Sequence, residues 1–279
     1  MENPRLIVMP FVPDPGEIFT GTGLSIHFLL GNLFAVHPGL TECWFGWRVK
    51  KIFPDGPGFS DFCRGNAPLP DIASLGVQEK VRYWLTGSVS GGPGILQVSM
   101  ALHDIHGNGR RITLPLSLDD GMLDFRHRFL EWIAGAGLAF PCTDAVLWPE
   151  WITAPGLDSL GRGLEVLYLN YITQAGTGAD PIDLAWFDQA VVTSPRSYLA
   201  QDLKGWGLYK NQAILPAQAA FETALALNET GVGALSGLLW CAVLEKNRNK
   251  ALGYALAKAR VTGNDPAKAR AWVEKKITG

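Results

Sequence analysis

The apolar positions of this chain change their spacing several times, and each change predicts an element. Leu6-Ile7-Val8-Met9-Pro10-Phe11 is an unbroken apolar run followed by further prolines at 13 and 15, the pattern of a buried strand entering a loop. Leu24, Phe28, Leu29, Leu33 and Val36 then recur at helical spacing, with Thr22 as the expected cap and Pro38-Gly39 as the stop. Leu40–Phe45 reads as a second strand, and the Gly- and Pro-rich stretch from Gly46 to Pro70 as a long loop. A short helix is expected over Asp71–Lys80 and a strand over Tyr83–Val89. Ile95–Asp104 and Arg111–Leu118 alternate as the two arms of a hairpin around His106-Gly107-Asn108-Gly109. Met122–Phe140 closes the segment as an amphipathic helix through Leu123, Phe125, Phe129, Trp132 and Ile133. Residues 1–140 therefore predict an α/β domain, a mixed sheet with flanking helices.

Beyond an aromatic connector at 141–157, containing Trp148-Pro149-Glu150-Trp151, the pattern is helical almost throughout. It also repeats. Phe187 and Phe221, Ala190 and Ala224, Trp206 and Trp240, and Ala217 and Ala251 are each separated by 34 residues. Ala217-x-x-x-Phe221-x-x-Ala224 has the small-aromatic-small spacing that allows one helix to pack closely on its neighbours. Helical hairpins are expected near 160–196, 197–230 and 231–264, with a capping helix over Pro266–Ile277, so that 158–279 forms an all-α array.

These segments resemble known families. Ile7–Phe11, Thr22-Gly23-Leu24-Ser25, Leu85-Thr86-Gly87-Ser88-Val89 and the Leu102–Gly107 turn are similar to the amino-terminal domain of TolB, which also occurs in flagellar outer-membrane-associated proteins and in cyclase-linked chains. The second half resembles tetratricopeptide repeats, with Asp183 standing where a small residue is usual and Ala255 where an aromatic is. The resemblance implies an interaction domain followed by a repeat array whose outer repeats are degenerate. In such an array the first helix of each hairpin lines a concave face, which places Tyr168, Asp202, Trp206, Tyr209, Ser236 and Trp240 there as partner-binding residues. Trp206 and Trp240 share one register and are expected side by side, unless the turn around Gln212–Pro216 rotates the first helix and carries Trp206 into the core.

Composition narrows the function. The 29 aromatic residues and 47% apolar content describe a folded chain. A net charge of -2 argues against a general phosphate-binding surface, and basic residues are not interleaved with stacking aromatics, so no nucleic-acid partner is expected. From Glu245 to Gly279, nine Lys or Arg stand against three acids, and the helix carrying Lys268, Arg270, Lys275 and Lys276 is a candidate surface for an anionic partner. Cys43, Cys63, Cys142 and Cys241 form no close pair, and the amino terminus enters an apolar strand directly, which together suggest a reduced, cytoplasmic setting. The apolar stretches Leu24–Val36 and Leu235–Leu244 are too short to span a bilayer, so no membrane insertion is expected.

Candidate chemistry is sparse. Gly21-Thr22-Gly23 opens a helix after a strand, as dinucleotide-binding turns do, but the third glycine is missing and the preceding turn is long and proline-rich. His103, Asp104 and His106 are close in sequence, yet strand alternation and a turn separate their side chains, so no metal site is expected. No triad, paired carboxylate or nucleotide loop is present, which leaves no catalytic residue and no cofactor to assign. The sequence reads as a non-enzymatic scaffold or adaptor that binds a protein partner or itself through the array. Its alternatives are a ligand-sensing regulator with a small-molecule site between the domains, and an enzyme with a non-sequential active site.

Overall fold

A computed structural model describes residues 4–14, 21–40, 49–74, 80–91, 95–107, 109–140, 146–173 and 181–278. The first half holds β1 (Arg5–Val8), β2 (Val12–Pro13), β3 (Val81–Gly91), β4 (Ile95–Asp104) and β5 (Arg110–Ser117). They form one mixed sheet in the order β1-β3-β4-β5, with β2 continuing the edge beside β3. β1 and β2 run parallel to β3, whereas β3, β4 and β5 are antiparallel neighbours. Pro10 has no N–H to give to the ladder, and the edge is divided around it. Leu96, Val98, Met100 and Leu102 alternate inward from β4, while Ile95 and Gln97 face solvent, the pattern of a sheet with one covered face.

Helix α1 (Thr22–Phe34) packs on β1 and β3 and is buried along almost its whole length. Thr22 does not cap it. Gly21 holds the cap position, and its N–H donates to Asp158 Oδ1 at 2.7 Å. The Gly46–Pro70 loop expected from composition instead contains α2 (Val49–Ile52) and α3 (Gly56–Cys63). Asp55 starts α3 by accepting from the Gly58 N–H at 2.7 Å, and Phe59 and Phe62 bury its inner face. The strand expected at Leu40–Phe45 falls at 41–45 outside the described residues, as does the 75–79 portion of the helix expected over Asp71–Lys80. Helix α4 (Leu123–Ala134) ends earlier than its apolar pattern suggested. Gly137, at φ +83°, allows the Leu138 N–H to return to the Ile133 carbonyl and close the helix.

The second half consists of α5 (Ala154–Thr173), α6 (Ala185–Thr193), α7 (Tyr198–Lys210), α8 (Ile214–Leu227), α9 (Val232–Leu244), α10 (Arg248–Thr262) and α11 (Pro266–Thr278). Consecutive helices pack as the hairpins α5/α6, α7/α8 and α9/α10, and α11 covers α10. Helices α7 and α9 begin 34 residues apart, as do α8 and α10. Gln212 and Lys246, which stand at the same interval in the hairpin turns, both have positive φ. Phe187 lies against Gly163 and Gly207, and Phe221 against Gly205 and Gly237, so each ring sits between its own first helix and the next one.

The two halves share one hydrophobic cluster, in which α1 packs against α5. Ser25 Oγ donates to the Leu157 carbonyl at 2.5 Å, and a Cβ at Gly161 would overlap the carbonyl of Gly21. Glycine is therefore required for this close crossing. Gly161→Ala is expected to push the two helices apart and cost about 1–3 kcal/mol, read as a lower urea midpoint.

The connector is also fixed by side chains. Glu150, fully buried, accepts from the Trp148 indole N–H at 3.2 Å and the Leu199 backbone N–H at 3.3 Å, and the Arg126 guanidinium lies 4.7 Å from the Trp148 ring centre. These contacts tie α4 to the start of α7. Among the described residues no helix is long and apolar enough to cross a membrane.

Candidate functional cleft

Three helices turn one face each toward a common space. Phe28, Asn32 and Ala35 on α1 and its end, Leu164, Tyr168 and Tyr171 on α5, and Asp202, Trp206 and Tyr209 on α7 each follow the i, i+4, i+7 spacing that aligns side chains along a helix. Val232 and Ser236 of α9 and Lys258 of α10 add to the wall. The cleft has a volume of about 620 Å³ and is partly open to solvent.

Five of the six residues selected from sequence meet here: Tyr168, Asp202, Trp206, Tyr209 and Ser236. Trp240 does not line this space. Its ring stands edge-on to Trp272 of α11 at 5.2 Å, with Lys276 Nζ 5.7 Å from its centre, so it is not beside Trp206 as expected. Trp206 instead packs edge-on against Phe221 at 5.3 Å. The position equivalent to Phe221 in the next hairpin is Ala255, and Trp272 supplies the aromatic partner that Ala255 lacks. The walls from α1 and α10 were not legible beforehand, because they reach the cleft through tertiary packing rather than through the repeat.

Asp202 is the chemical feature of the cleft. It has no exposed surface, and neither carboxyl oxygen makes a geometrically complete hydrogen bond. Loss of solvent pushes its pKa up to about 8, with nearby Glu150 adding to the rise and the Trp206 and Tyr198 side chains partly easing it. A Cβ at Gly233 would overlap the carboxyl group, so glycine leaves the room that Asp202 occupies. Tyr168 is held differently: its hydroxyl is 3.0 Å from His27 Nε2, and His27 Nδ1 is 3.2 Å from the Met9 carbonyl. Burial lowers the His27 pKa to about 3, so the ring is neutral. Donation from Nδ1 to Met9 then leaves Nε2 to accept from Tyr168. The Ser236 hydroxyl donates back to the Val232 carbonyl at 2.7 Å.

The other candidates are occupied by structural contacts. Gly23 packs against the Phe11 backbone, and Asp158 takes the Gly21 N–H, so the glycine turn serves helix packing. His103 stacks on Trp84 at 5.2 Å, while Asp104 pairs with Arg82 at 3.2 Å. Among the described residues there is no cluster of three or more side chains suited to a metal ion. A second hollow, of about 680 Å³, lies on the sheet and has Arg111 as its only charged wall residue among those described. Comparisons with protein-family models, curated proteins and solved structures gave no match.

Proposed function

We propose that this protein is a non-enzymatic binding module, in which a TolB-like domain and a tetratricopeptide-like array together form a receptor cleft for one small ligand. The observation that carries this reading is the convergence of array residues and α1 on a single space of about 620 Å³, within the range usual for small-molecule sites. A wall from α1 favours a compact ligand over a helix laid along the array. Ligand binding there would bias the packing of the amino-terminal domain on the array, which is the property a sensing protein needs.

A thermal-shift screen of metabolites against the full chain tests this. A ligand at a hundredfold excess over its Kd should add about 2.7 kcal/mol of stability. Ser236→Leu, which fills the cleft wall, should remove that gain. Hits that stabilise this variant as much as the original chain would place the ligand elsewhere. The adaptor reading keeps one supporting observation, the protruding Val192 and Leu215 on the second helices α6 and α8. Partner capture that survives Ser236→Leu and fails with polar residues at those two positions would favour it.

A further inference from the structure

We infer that the ligand of this cleft is an organic ammonium ion, with its charge seated on Asp202 and its apolar body against Trp206 and Tyr209. The inference rests on the receptor reading above and names the class of ligand.

A carboxyl group with no exposure, approached by the Trp206 and Tyr198 side chains without a fully formed hydrogen bond to either, is costly to keep unless something completes it. An ammonium group supplies both the hydrogen-bond donors and the opposite charge. The Trp206 and Tyr209 rings that line the same space give the apolar body of such an ion a rigid surface to pack on.

Lys210, which is exposed, also lines the space, so a second cationic group on the ligand is disfavoured. A single amine at one end of an apolar body fits this arrangement. Since burial holds the Asp202 pKa at about 8, binding the ammonium ion must displace a proton from it. Tyr198 and Glu150 are the titratable groups that act on it directly, and Tyr168, Tyr171, Tyr209, Lys210 and Lys258 are the others that line the cleft. Affinity for an amine should therefore rise by roughly tenfold for each pH unit up to about 8.

The test is calorimetry on the full chain with tryptamine and 2-phenylethylamine, each compared with the alcohol of the same shape. The amines should bind at least tenfold more tightly, with heats that depend on buffer ionisation because a proton leaves. Asp202→Asn should abolish the preference while alcohol binding persists, and Gly233→Ser, whose Cβ would displace the carboxyl group, should weaken the amines as a second check. Equal affinity for amine and alcohol, or a preference that survives Asp202→Asn, overturns the ammonium assignment but keeps the cleft. No binding of either class at millimolar concentration, together with an empty metabolite screen, removes the receptor reading as well.

Discussion

Phe221→Ala is expected to destabilise the protein by about 3–5 kcal/mol, measured as a shift of the urea unfolding midpoint at unchanged slope. The ring is fully buried and sits between Gly205 on α7 and Gly237 on α9, so its removal leaves a cavity between two hairpins at once. Neither glycine has a side chain that could move into the space. Trp206 also loses its edge-on partner, and the cleft wall that it forms should loosen. Phe187 has the equivalent place between Gly163 and Gly207, and its truncation should cost a similar amount. The third hairpin has Ala255 at this position and relies on a small cluster with Leu239, Ala251 and Val273. It is therefore the hairpin expected to open first.

The 34-residue period was legible because the helical hairpins obey the same local packing rule. A small residue must face each buried ring, and the rule leaves its interval in the sequence. The sheet hairpin was legible for a similar reason, since alternation along Ile95–Asp104 sets which side chains face inward. The α3 helix was not, because Gly56, Pro57 and Gly58 have low helix propensity and its start depends on Asp55. The cleft was half legible. Its α7 residues followed from the register, but its α1 wall depends on Gly21 meeting Gly161, a contact far apart in the chain that no local pattern records. Trp240 packs against Trp272 of α11, a contact with a helix outside the 34-residue interval that the interval does not record.

Asp202→Asn is expected to stabilise the free protein, by an amount that depends on pH. Asp in an unfolded chain ionises near pH 3.9, whereas burial in the cleft raises the folded value to about 8. Below about pH 4 both states are protonated, and the acid and the amide should be nearly equivalent. Between about pH 4 and 8 only the unfolded state releases its proton, so the original chain loses about 1.4 kcal/mol per unit as pH rises. Asn has no proton to lose. The variant should thus gain on the order of 4 kcal/mol by pH 7, and urea unfolding of both chains across this range measures the difference. Glu150, also pushed up by burial, is present in both chains and largely cancels. A difference that stays flat with pH would show that Asp202 is ionised in the folded state and already compensated. A steep one would mean that the free protein carries an acid that weakens it at neutral pH, and loss of amine binding in the more stable variant would identify recognition as the reason for keeping it.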